Sequence, residues 1–230
     1  MIRETIFSLN LAENNKLMTG EMFEIKNNVL RIVSLDGHRI AIRKITLGKN
    51  YENTRVVVPG KALSEISKIL SDNIDDVAKI YFSENHILFS FDDTVVYSRL
   101  IDGDYFQVDN MLSNDFKTKV VLNKKEFYEC IERAGLLIKE GENKPIIFNI
   151  TDDNMELSVN SQFGSMNENI DIEKEGDDIR IGFNPKFLTD ALKVIDDEKI
   201  IMYLMNRKAP CFIKDDEENY IYLILPVNIL

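Results

Sequence analysis

Ala62-Leu63-Ser64-Glu65-Ile66-Ser67-Lys68-Ile69-Leu70 lines up with Phe187-Leu188-Thr189-Asp190-Ala191-Leu192-Lys193-Val194-Ile195, 125 residues further along the chain. A lysine precedes each stretch, Lys61 or Lys186, and a β-like run precedes that, Arg55 to Val58 or Asp178 to Phe183. The offset is far longer than the period of a solenoid repeat, so one domain plan is used twice. Spacings of four and three put Lys61, Glu65 and Lys68 on one side of a helix, and Lys186, Asp190 and Lys193 likewise. Leu63, Ile66 and Leu70, or Leu188, Ala191 and Ile195, take the opposite, apolar side. A duplicated fold must repeat its core. A repeated exposed lysine pattern points to a shared surface with a task.

A length of 230 residues suits two domains of ordinary size, and 44% hydrophobic content supplies two cores. The 29% of charged residues argues against disorder. No apolar run approaches the roughly 20 residues that span a bilayer, and Met1-Ile2-Arg3-Glu4 leads into no signal-peptide core. The expected location is therefore cytoplasmic. Cys130 and Cys211 lie in different repeats, as free buried thiols of a reducing compartment would. The net charge of −11 opposes a tight grip on nucleic acid. Any contact with a polyanion must come through local basic stripes and be weak.

Along the chain, Arg3 to Leu9 has a helical look without an N-cap. Glu21–Ile25, Val29–Leu35 and Arg39–Leu47 alternate apolar and polar residues, as half-buried antiparallel strands do. After a helix over Lys61–Leu70, strands are expected near Lys79–Phe82, Ile87–Phe91 and Val95–Ile101. The second copy begins with a helix over Lys124–Ile138, burying Phe127, Ile131, Ala134 and Ile138. Strands follow near Ile146–Ile150, Met155–Val159, Asn167–Ile172 and Ile179–Phe183, then a helix over Lys186–Ile195. Three more strands, near Ile200–Met205, Cys211–Lys214 and Tyr220–Leu225, end the chain. The polar break at Leu112-Ser113-Asn114-Asp115-Phe116 divides residues 1–115 from 116–230. The expected class is α+β, with two helices packed on antiparallel sheets in each domain.

Paired carboxylates at Asp75–Asp76, Asp92–Asp93, Asp152–Asp153, Asp177–Asp178, Asp196–Asp197 and Asp215–Asp216 could hold two metals for phosphoryl transfer. Nearly all fall where a strand or helix ends, and solvated turns account for them more simply. His38 and His86 are the only histidines, too few for a multi-histidine metal site. Nucleophile elbow, P-loop and Cys-x-x-Cys patterns are missing, so no catalytic residue, metal or cofactor is expected. Asp36-Gly37 between two strands is a hairpin signal. Two readings stay open for Tyr220-Ile221-Tyr222-Leu223-Ile224-Leu225-Pro226-Val227-Asn228-Ile229-Leu230: a last core strand, or an apolar binding patch past Pro226.

Leu35-Asp36-Gly37-His38-Arg39-Ile40-Ala41, Val57-Val58-Pro59, Leu100-Ile101-Asp102-Gly103, Gly182-Phe183-Asn184 and Leu225-Pro226-Val227 occur in that order. Together they resemble the bacterial DNA polymerase III β subunit, the sliding clamp, over essentially the whole chain. Members of that family carry three clamp domains and close into a homodimeric ring around duplex DNA. The resemblance covers the second and third domains only. It implies a fragment or truncated product without the first domain, mainly monomeric or a weak dimer that does not encircle DNA, because ring closure joins the first domain of one chain to the third of another.

The resemblance also implies a cleft between the two domains for linear peptides. Its apolar wall is Met18, Ile40, Leu223, Leu225, Pro226 and Val227; Gly37, His38 and Arg39 form another side; Asn184 and Phe187 gate it. Departures from the family pattern are Leu35 where Thr is common, Phe106 where Pro is usual and Asn228 where Arg is frequent. They imply a more apolar pocket with a less basic rim, in which Leu35→Thr weakens binding slightly without unfolding the domain.

The implied partners are duplex DNA, held weakly and without sequence preference, the polymerase III catalytic subunit, the clamp loader, and other polymerases and repair proteins with clamp-binding peptides. Lys61, Lys68, Lys186 and Lys193 would face DNA, since the family's helices line the central hole. The alternatives are a two-domain chain of a trimeric clamp, a stand-alone peptide-binding module without a DNA role, and a phosphoryl-transfer enzyme using the Asp pairs.

Overall fold

Both copies of the repeated stretch are helical, over Gly60–Ile69 and Pro185–Leu192. Their starts, 60 and 185, keep the offset of 125 residues. The structure is a computed structural model that describes residues 1–11, 14–70, 77–139 and 144–229. The chain folds as two units, Met1–Val108 and Asp109–Leu230. This division falls at the 3-10 turn Val108–Met111, a few residues before the polar break.

The first unit holds β1 (Gly20–Lys26), β2 (Val29–Leu35), β3 (Arg39–Thr46), β4 (Thr54–Pro59), α1 (Gly60–Ile69), β5 (Lys79–Phe82), β6 (His86–Phe91) and β7 (Thr94–Arg99). The first four pair antiparallel in the order β4-β1-β2-β3, and the last three as β5-β6-β7. The second unit holds β8 (Thr118–Asn123), α2 (Lys124–Gly135), β9 (Ile146–Thr151), β10 (Asn154–Ser161), β11 (Gly164–Gly176), β12 (Ile179–Phe183), α3 (Pro185–Leu192), β13 (Lys199–Leu204), β14 (Cys211–Lys214) and β15 (Tyr220–Ile224). Its antiparallel order is β12-β9-β10-β11-β8-β13-β14-β15. The run β4-β1-β2-β3 thus recurs as β12-β9-β10-β11, and β5-β6-β7 as β13-β14-β15. The duplication is present in the pairing itself.

Side-chain alternation makes these strands. In β6 Ile87, Phe89 and Phe91 are buried while their neighbours are half-buried, and β9 and β10 show the same period of two. Together with Phe23, Ile32, Val58, Leu63 and Ile66, the β6 residues form the first core. In the second, Phe127 of α2 meets Phe148 of β9 at 5.7 Å between ring centroids, and Phe148 meets Phe183 of β12 at 5.6 Å. Both cysteines are free and buried.

The Asp pairs find a local explanation. Asp92–Asp93 and Asp152–Asp153 are two-residue hairpin turns, with Asp92 at φ 46° and Asp152 at φ 44°. Asp tolerates this left-handed conformation better than most residues. Asp177–Asp178, Asp196–Asp197 and Asp215–Asp216 lie in loops or turns, and Asp75–Asp76 lies outside the described residues. Among the described residues no group of His, Cys, Asp or Glu could hold a metal ion, and no helix is long and apolar enough to cross a membrane.

Several expected boundaries move. Arg3–Leu9 forms two 3-10 turns, Ile2–Glu4 and Ile6–Ser8, separated at Thr5, whose φ of −128° leaves helical geometry. The pair of helices expected in each domain is met in the second unit; among its described residues the first has one α-helix and these turns. The helix begun at Lys124 stops at Gly135, so Ile138 sits in a turn, half-buried, and Cys130 supplies helix-face burial instead. The helix α3 ends at Leu192, which leaves Lys193 as its C-cap and Ile195, 3% exposed, beyond it.

Candidate functional site

The hairpin between β2 and β3 holds the first unit's share of the expected peptide site. Gly37 turns it with φ 86°, a conformation in which L side chains are strained. The Asp36 carboxylate accepts from the backbone N–H of His38 at 3.0 Å and of Arg39 at 3.2 Å, and from Arg39 Nε at 2.8 Å. Arg39 also donates from Nη2 to the Phe7 carbonyl at 2.7 Å and lies over the Phe7 ring at 5.5 Å. Arg39 is only 6% exposed. It therefore ties the hairpin to the N-terminal 3-10 turns. His38 and Gly37 remain exposed at the tip.

Leu35 and Ile40 face each other across the hairpin and are 4% and 6% exposed. This adds a stability cost to the expectation for Leu35→Thr. Its side chain is core, so placing a hydroxyl there should cost about 1–3 kcal/mol of stability, measured as a lower unfolding midpoint of the first unit. Unchanged stability would return Leu35 to the binding surface. Met18 is half-buried on the 3-10 turn Lys16–Thr19 that leads into β1.

In the second unit the chain end comes back to the start of α3. Val227 N–H donates to the Gly182 carbonyl at 2.8 Å, forming an isolated antiparallel bridge. Two residues after Gly182, the Asn184 side chain caps α3 by accepting from Lys186 N–H at 2.9 Å. Asn184, Phe187, Leu225, Pro226 and Val227 are all half-buried, so each keeps surface to offer. Leu223 is a β15 core residue, 4% exposed. The open choice for the C-terminus thus resolves by position: core strand through Ile224, then a partly exposed apolar segment fastened at Val227. The expected exposed tail is corrected for Val227 and Ile229, both half-buried; Leu230 lies outside the described residues.

The four lysines are exposed, Lys61 and Lys68 on α1, Lys186 on α3 and Lys193 at the C-cap of α3. Lys68 is paired with Glu65 at 2.8 Å and Lys186 with Asp190 at 2.9 Å. Lys193 Nζ lies 5.9 Å over the Tyr128 ring. The same acid of each repeated trio is engaged, by the later lysine in α1 and the earlier one in α3. Exposed pairs of this kind contribute little to stability, but they reduce the positive field of each face.

Glu21 was not foreseen. It sits on β1, fully buried, accepting from the Thr5 hydroxyl at 2.9 Å, while its second oxygen has no partner. Burial pushes its pKa from 4.5 up to about 8, against the lowering effects of Thr5 and the N-terminal amine. The signal was faint: a glutamate next to Gly20 in an otherwise alternating strand.

Known proteins match this arrangement. The DNA polymerase III beta subunit, central domain, family model matches residues 1–107, and the C-terminal domain model of the same subunit matches residues 109–228. The Beta sliding clamp of Staphylococcus aureus (strain Mu50) is 35% identical over 99% of this chain and 61% of its own length. A crystal structure of a DNA polymerase III beta subunit from Eubacterium rectale is 62% identical with a TM-score of 0.97, over 99% of this chain and 62% of that one. The sliding clamp of Bacillus subtilis is 34% identical with a TM-score of 0.95, over 100% of this chain and 61% of that one. The chain spans about three fifths of the length of these relatives. It belongs to the DNA polymerase III β-subunit family and holds that family's central and C-terminal domains.

Proposed function

We propose that this family member acts as a sliding-clamp processivity factor, tethering polymerases to duplex DNA through two kinds of surface. The observation that carries this is the repeated lysine face, which each of the tandem clamp units presents at the corresponding place on or next to α1 or α3. The second surface is apolar. Phe187, Leu225, Pro226 and Val227 of the second unit are offered to linear peptides with Leu and Phe anchors, and the hairpin tip at His38 of the first unit is a separate candidate contact. We assign these peptides to the polymerase III catalytic subunit, the clamp loader and repair polymerases, acting in the cytoplasm. Each buried anchor contributes on the order of 1.5–3 kcal/mol. Two or three anchors, less the cost of ordering the peptide, leave roughly micromolar affinity, which suits partners that exchange.

Binding to a duplex at low salt tests the DNA face. Replacing Lys61, Lys68, Lys186 and Lys193 with Glu should abolish it, and unchanged binding would make these lysines ordinary solvated side chains. The ion pairs add a second expectation. Glu65→Gln with Asp190→Asn frees two lysines, so affinity should rise and the slope of log affinity against log salt should steepen by about 1–2. Weaker binding by that variant would mean the acids orient the lysines usefully instead of masking them.

A further inference from the structure

Gly182 is the point where the C-terminal segment rests on the second unit, and the space there admits no side chain. A methyl group at this position would lie 2.6 Å from Ile229 Cγ2 and 3.1 Å from Pro145 Cβ. Both distances are shorter than ordinary van der Waals contact. The backbone itself does not demand glycine, since Gly182 is not among the residues with positive φ. The constraint is therefore the approach of the tail and not the conformation of β12. Of the neighbours, β12 is held by pairing with β9 through Gly182 and Ile147, and Pro145 is a rigid ring. The tail, fastened among the described residues by the bond from Val227 N–H to the Gly182 carbonyl, is the element able to move.

We infer that Gly182 is a positioning residue for the peptide-binding rim: its missing side chain lets the C-terminal segment lie against β12, and the Val227–Gly182 hydrogen bond made there fixes Pro226 and Val227 beside the start of α3. The inference rests on the proposal that Val227 belongs to a peptide-binding surface. It adds the determinant of that surface's shape, a residue that would not touch the peptide. The seat is specific in a testable way, because the clash has an identified partner. Removing the branched side chain at residue 229 relieves the closer of the two short contacts and leaves the 3.1 Å approach to Pro145, which a shift of a few tenths of an ångström accommodates.

The test compares the wild type, Gly182→Ala, Ile229→Ala and the double variant in two measurements. The first is hydrogen exchange at the Val227 amide, which needs no ligand. Gly182→Ala should lose protection at Val227 while the β9–β12 amides keep theirs, and adding Ile229→Ala should restore it. The second is titration with a peptide carrying Gln, Leu and Phe anchors. Gly182→Ala should weaken binding about tenfold, and the double variant should return to within about threefold of wild type. Unchanged Val227 protection in Gly182→Ala overturns the inference, as does a double variant no better than the single one. If Gly182→Ala alone does not fold, a folded double variant with wild-type affinity supports the inference and an unfolded one overturns it. A wild type that binds no peptide defeats the functional reading, while the exchange data still decide whether Gly182 seats the tail.

Discussion

Glu21→Gln removes a loss of stability that the wild-type first unit shows as pH rises from 5 to 9. The folded carboxyl holds its proton with a pKa of about 8, against 4.5 as the ordinary value, because burial penalises its charged form. A raised pKa means that the folded state binds more protons than the unfolded state between these two values. Stability is then fully present below about 4.5 and drains away as pH climbs through about 8. The difference corresponds to roughly 4–5 kcal/mol. Groups that act the other way, Glu168 beside Arg133 and Asp178 beside Lys174, have lowered values and lose their contribution only in more acid solution. A glutamine has nearly the same shape and cannot ionise, so at pH 9 the variant should unfold on the order of 10 °C above the wild type. At pH 5 the two should differ little. Thermal unfolding followed at both pH values checks this, and equal slopes for the two proteins would show that Glu21 is ionised, or solvated, in the folded unit.

Removal of residues 227–230 should abolish measurable peptide binding and also lower the stability of the second unit. The binding loss follows from the proposed surface: Val227 goes entirely and Pro226 loses its anchor. The stability loss follows from the seat on β12, where the bond from Val227 to Gly182 disappears and Ile229 uncovers apolar surface. One hydrogen bond and two half-buried side chains contribute about 1–3 kcal/mol together. The truncated protein should therefore stay folded at room temperature and melt somewhat lower. Calorimetry at a temperature where both proteins are folded separates the two effects. Full peptide affinity after truncation would exclude the C-terminal segment from the site.

Elements governed by local physics could be read from the sequence. Strands β5, β12 and β14 have the ends that their apolar runs indicate, and α1 and α3 follow from the repeated stretch. What could not be read depends on partners distant in the chain. Thr5 breaks the expected N-terminal helix while its hydroxyl bonds to Glu21, sixteen positions away. Arg39 is withdrawn from the surface by the Phe7 carbonyl, 32 positions away. Gly182 stood out only as part of a motif; its reason, Ile229, lies across a chain reversal. The lysine trios were visible, but which acid masks which lysine was not, because both geometries are allowed at spacings of three and four.

The central claim, that this clamp-family chain holds partners by a linear-peptide surface, is tested most directly by calorimetric titration of the whole chain with a peptide carrying Gln, Leu and Phe anchors. The expected result is a single saturable site with a dissociation constant of roughly micromolar size, reduced beyond detection when the Leu and Phe anchors are replaced by Ala. A chain shown to be folded by its unfolding transition, yet giving no heat of binding with the anchored peptide, would contradict it.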